Sequence, residues 1–188
     1  MCAMTNIIDD QFIETWHPQY DKIEHYEPEY RRLLNKVSLE MEADRSLTKQ
    51  TFCEILNWFK SARVKGLINW VNFETYSNTI RECHEASGME KMEKVKLLDD
   101  LPGIGAPIAS TFLHFLYPKS FPIFSRRTVN VLSCFGYNIQ PNSTGIAQYK
   151  AFMETVLEIR DCCPKWSLRE IDRAVFAYHK QNPALFDT

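Results

Sequence analysis

Apolar side chains recur at Tyr30, Leu33, Leu34, Val37 and Met41, the i, i+3, i+4, i+7 and i+11 positions of one helix face. Phe52, Ile55, Leu56 and Phe59 repeat that spacing, and Leu67, Ile68, Trp70 and Val71 are expected to carry it on. The more polar segment 73–86 keeps a narrower stripe of Phe73, Tyr76, Ile80 and Cys83. Ser167 and Glu170 form a capping box ahead of Leu168, Ile171, Val175 and Phe176. No run alternates apolar and polar residues between hairpin turns, so a sheet-based fold is not expected. The chain reads as all-α, with roughly seven to nine helices. Breaks fall near Glu27-Pro28, Ala86-Ser87-Gly88, Pro118, the Gly136–Gly145 loop and Cys163-Pro164. Residues 1–188 are read as one compact domain or two lobes sharing a core, with no internal repeat.

Composition narrows the class. With 188 residues and 45% hydrophobic content, the chain can bury a core. No stretch approaches ~18 uninterrupted apolar residues, so no spanning helix and no membrane partner are expected. Asp9 and Asp10 follow the short N-terminal apolar patch and no basic leader precedes it, so no secretory signal is expected. Cys2, Cys53, Cys83, Cys134, Cys162 and Cys163 include no C-x-x-C pair and match neither zinc nor iron–sulfur spacing. They read as reduced thiols in a cytoplasmic chain, nucleoid-associated if bacterial. His17, His25, His84, His114 and His179 show no metal spacing either, and His114 reads as a satisfied core histidine.

Charge is unevenly placed. The net charge is −2, yet residues 101–150 hold no carboxylate and four bases, Lys119, Arg126, Arg127 and Lys150. Such a window gives a positive local potential suited to a polyanion. A buried helix and a polar loop, where charges are scarce, would account for it as well. The acidic N-terminal third (Asp9, Asp10, Glu14, Asp21, Glu24, Glu27, Glu29) reads as a solvated face.

The most specific signal is Leu101-Pro102-Gly103-Ile104-Gly105-Ala106-Pro107. A helix ending near Leu98 meets a tight turn there, and Pro107 suits the first turn of a second helix. Gly103 and Gly105 are expected to allow positive φ and to clear side chains from the backbone. The N–H groups of 103–106 would then form an anion site at a helix N-terminus. Ile104 is expected to wedge the helices together, with Ala109 and Ser110 allowing close approach. A bland reading is an αα-corner with a structural Pro-Gly turn.

This L-P-G-I-G-x-x-x-A segment resembles the helix-hairpin-helix of the DNA glycosylase superfamily, placing that motif at 91–116. Phe121–Leu132 is similar to the superfamily's P-x-x-D segment, and Leu168–Val175 resembles the L-R-x-x-D-x-A tail of an uncharacterised bacterial branch. The resemblance covers about a fifth of the chain. It implies a helix-hairpin-helix DNA-glycosylase-like fold and double-stranded DNA as partner. Leu101, Gly103, Ile104, Gly105 and Ala106 would meet the phosphate backbone, with help from Lys119, Arg126 and Arg127. It also implies a sodium or potassium ion on the hairpin carbonyls; no other cofactor, and no side-chain metal site, is expected.

The departures concern chemistry. The superfamily's catalytic Asp position is occupied by Ser125, which carries no charge to stabilise a cationic sugar. Pro107 stands where bifunctional members place the Schiff-base Lys, so any activity would be monofunctional base release. Three readings of Ser125 stay open: binding without catalysis, a relocated carboxylate (Asp99, Asp100 or Asp172), or an engineered inactivation of an ancestral Asp. Asp99 and Asp100 otherwise read as solvated residues at a helix C-terminus. Asp172 otherwise reads as the partner of Arg126, Arg127 or Arg169. Trp58, Phe59, Lys60 and Arg63 form an aromatic-basic cluster that would suit an everted base, or simply core and interface packing.

Overall fold

The computed structural model describes residues 7–24, 27–59, 66–141 and 145–186. Cys2, His25, Lys60, Arg63 and the loop residues Asn142, Ser143 and Thr144 lie outside them. The described residues contain no strand. They form nine α-helices of seven residues or more: α1 (Asp10–Trp16), α2 (Glu27–Asp44), α3 (Lys49–Trp58), α4 (Phe73–Glu85), α5 (Lys91–Asp99), α6 (Ala106–Leu116), α7 (Arg126–Cys134), α8 (Ile146–Cys162) and α9 (Leu168–Gln181). A four-residue helix at Tyr20–Ile23 and short 3-10 turns complete the set. The all-α expectation and the helix number agree with this. No described helix is long and apolar enough to cross a membrane.

The chain divides into two compact units. One is Tyr26–Tyr117; the other joins Met1–His25 to Pro118–Thr188.

In the 26–117 unit, α6 is buried along almost its whole length, from Ala106 to Phe115. A helix apolar on all sides belongs in the centre of its layer, and α2, α3 and α5 pack against it. Tyr30, Leu33, Val37 and Met41 of α2 are buried as their spacing dictates. Thr48 caps α3 by accepting the Thr51 N–H, and Phe52 stacks on Phe112 at 4.4 Å. His114 is fully buried with Nε2 2.9 Å from the Tyr30 hydroxyl, a satisfied core histidine. Trp58 packs on Tyr30 and Phe115. Lys94 is buried and donates to the Cys83 carbonyl and, at 3.1 Å, to that of Ala86. It thereby satisfies carbonyls at the end of α4. Burial pushes the neighbouring Cys83 thiol up to about 11, so it stays protonated near neutral pH.

The expected continuation of the helical stripe through Leu67–Val71 does not occur. Residues 66–68 form a turn and a bend, Trp70–Asn72 is a 3-10 turn, and of the four apolar residues Ile68 alone is buried. Leu67 and Val71 are 61% and 93% exposed. Their segment is drawn into contact with the turn after α5, which fixes its backbone path at the expense of periodicity.

In the other unit, α9 presents Leu168, Ile171, Ala174, Val175 and Ala177 to the core. The Ser167–Glu170 capping box forms as the sequence indicates. Tyr149 and Phe152 of α8 pack on Phe124 at 5.4 and 5.0 Å. Phe12 of α1 meets Phe135 and Tyr178 at 5.5 and 5.4 Å, tying the chain's first helix to its last.

Candidate nucleic-acid interface

The Glu90–Glu93 capping box starts α5, and the chain leaves it at Asp100. Ile104 N–H then bonds the Leu101 carbonyl at 2.9 Å. With Pro102 second and Gly103 third (φ +79°), this is the pattern of a type II turn. Leu101 and Ile104 are buried, so the turn is anchored from inside, and Ile104 is the wedge its position suggests. From outside, the buried Tyr76 hydroxyl accepts from Asn69 N–H and donates to the Pro102 carbonyl at 2.8 Å. Nothing in the sequence marks this pin beyond a Tyr in an apolar stripe.

The two glycines have different reasons to be glycine. A Cβ on Gly103 would lie 3.0–3.1 Å from the Cβ and backbone of Leu67. That space is filled by the chain itself, so Gly103 serves internal packing and left-handed φ, not clearance for a phosphate. Gly105 has φ −103° and ψ 170°, extended backbone open to any residue, so positive φ is not its reason. A Cβ there would meet Pro107 Cδ at an ordinary 3.8 Å, and the residue is exposed.

Not all the turn's amides are bare. Ile104 N–H is spent inside the turn, and Ala106 N–H faces the Asp99 carboxylate closely enough to favour its charged form. Asp99 is half-buried beside the start of α6, less solvated than its place at a helix end implied. Burial, then the adjacent Asp100 carboxylate, raises its pKa, and the Ala106 N–H partly opposes them. Asp100 does remain exposed, 3.0 Å from Lys96. Gly103 and Gly105 N–H have no hydrogen-bond partner among the described residues. The carbonyls of Leu101, Pro102 and Gly105 already accept hydrogen bonds. Oxygens for a monovalent cation would come first from Gly103 and Ile104, and no groups of three or more His, Cys, Asp or Glu suited to a metal occur among the described residues.

Lys119, Ser125, Arg126, Arg127 and Asp172 all belong to the other unit. Ser125 is the N-cap of α7: its Oγ accepts the Thr128 N–H at 3.2 Å and lies 2.5 Å from Thr128 Oγ1. This occupation explains a serine here without chemistry. Aspartate caps equally well, so Ser125→Asp should melt within about 2 °C of the parent, whereas Ser125→Ala should cost about 1 kcal/mol. A thermal scan of both variants reads this directly.

Arg126 and Arg127 are exposed in the first turn of α7, which holds no acid. Lys119 is exposed, and its carbonyl accepts from Arg160 at 3.0 Å. Asp172 pairs with Arg169 at 2.5 Å, one of the three partners its position allowed. It also lines a cavity of ≈ 10 Å³, about the room of one water, together with Pro122, Thr128, Leu132, Phe152 and Val175. Asp21 and Glu24 engage Arg173 and Lys180, so this part of the acidic segment is not a free solvated face. No family model, curated protein or solved structure matches the chain.

Proposed function

We propose that the protein binds double-stranded DNA through its phosphate backbone, in the manner of the helix-hairpin-helix proteins its 101–109 segment resembles. The observation that carries this reading is Gly105. It stands exposed at a helix N-cap, where Ser, Asn or Asp would cap better, with no positive φ and no crowding neighbour to require glycine. Its N–H and that of Gly103 are unspent donors at the start of α6, where neutral amides hold phosphate without reading bases. Lys119, Arg126 and Arg127, in a window without acids, give the other unit basic charge of its own for a polyanion.

Base-release chemistry is not part of the proposal as the chain stands, because Ser125 is an uncharged cap and Asp172 is held by Arg169. One observation favours a purely structural corner in an all-α protein-interaction domain: the Asp99 carboxylate already faces Ala106 N–H. A titration separates the two. Anisotropy of a labelled 12-bp duplex should give log K falling against log salt with a slope of about −3 to −5. No binding at ~50 mM salt would end the nucleic-acid reading.

Asp99 adds a pH signature. A phosphate arriving beside its carboxylate favours the protonated form, so binding takes up a proton. Affinity should therefore rise as pH falls through the raised pKa of Asp99. Asp99→Asn should bind several-fold more tightly at pH 7 and lose much of that pH dependence.

A further inference from the structure

The helix α9 carries Arg169, Arg173, Phe176 and Lys180 at i, i+4, i+7 and i+11, one stripe along its length. Tyr20 sets its ring edge-on to Phe176, with centroids 5.5 Å apart. Arg169 and Arg173 lie over Tyr20 at 4.9 and 5.3 Å. Arg127 and Lys180 lie over Phe176 at 5.1 and 5.8 Å. Four cations therefore surround two aromatic rings.

Three of the four are matched by carboxylates: Arg169 by Asp172 and Arg173 by Asp21, both at 2.5 Å, and Lys180 by Glu24 at 3.7 Å. Arg127 has no carboxylate within 4 Å among the described residues. It is exposed, yet its guanidinium rests on a ring. A guanidinium laid on an aromatic face has lost part of its rotamer freedom, so less entropy remains to be lost on binding. Its outer face can take a flat π-system and its edge, with five N–H donors, a phosphate.

We infer that Arg127, laid on Phe176, is a binding site for one unpaired nucleotide, whose base stacks on the guanidinium while its phosphate meets the guanidinium edge. A duplex offers no free base face, so the ligand is a free nucleotide or one in an unpaired strand. The inference shares with the proposed function a nucleic-acid ligand and the charge of Arg127, and it does not involve the hairpin.

The test uses the full chain at ~50 mM salt with labelled dT8, the labelled 12-bp duplex and unlabelled dTMP. Wild type should bind dT8. Arg127→Ala should weaken it roughly tenfold and the duplex about threefold through one lost charge, Arg127→Lys should weaken dT8 about three- to fivefold, and Phe176→Leu should weaken dT8 about three- to fivefold with the duplex unchanged. Competition by millimolar dTMP assigns the site to free nucleotides, and retained binding without competition assigns it to strands. The inference falls if dT8 does not bind, if Arg127→Ala binds it within twofold of wild type, or if Arg127→Lys is equivalent to wild type. Gly105→Val separates it from the hairpin reading. That variant should lose duplex and keep dT8; loss of dT8 binding with the duplex unchanged in Phe176→Leu leaves the hairpin untouched. Circular dichroism and melting temperature confirm that each variant is folded.

Discussion

Gly103→Ala should lower the unfolding free energy by about 2–4 kcal/mol, a drop of roughly 6–12 °C in melting temperature for a chain of this size. Two effects add. An L residue at φ +79° costs about 1–2 kcal/mol. The new methyl must also displace the backbone of Leu67, which lies 3.0–3.1 Å away and is held by the Asn69–Tyr76–Pro102 hydrogen bonds. Gly105→Val should behave in the opposite way. Its extended backbone accepts valine and its neighbours leave room, so the stability loss should stay below about 1 kcal/mol, mostly lost capping. Duplex affinity should nevertheless fall at least tenfold. Urea denaturation and duplex anisotropy on both variants read the contrast. A destabilised Gly105→Val, or one that binds DNA as the parent does, would show that both glycines are structural.

Asp172→Ala should destabilise the protein by about 3–5 kcal/mol, because it leaves the Arg169 guanidinium buried without its charge partner. The two side chains are 8% and 12% exposed, so water cannot take over. Arg169 also donates to the Tyr20 hydroxyl at 3.1 Å and lies over its ring, which holds the cation in place after its partner is gone. Replacing both, as Arg169→Met with Asp172→Leu, should recover most of the loss. A double-mutant cycle in urea measures the coupling. A relocated catalytic carboxylate makes a different prediction: Asp172→Asn would abolish activity at little cost in stability. The ion pair predicts that Asn, too, is markedly destabilising.

These expectations show which features local spacing encodes. The stripes at Tyr30–Met41 and Phe52–Leu56 were legible because a helix face has a fixed period and burying it dominates the energetics. Leu67–Val71 misled because four apolar residues in five look periodic by composition alone. Their exposure follows from a turn held by Tyr76 and Gly103, residues up to 36 positions away.

The amino-acid sequence alone determined the helical class, the Ser167–Glu170 capping box, the buried wedge Ile104 and the acid-free window. Each depends on chemistry within a few residues, where periodicity, caps and charge act without help from the rest of the chain. Tertiary structure decided why each glycine is there, where Asp99 turns, which arginine holds Asp172, and that Arg127 lies on Phe176. Those outcomes depend on atoms meeting across distant stretches of chain, and no local pattern records which partner arrives.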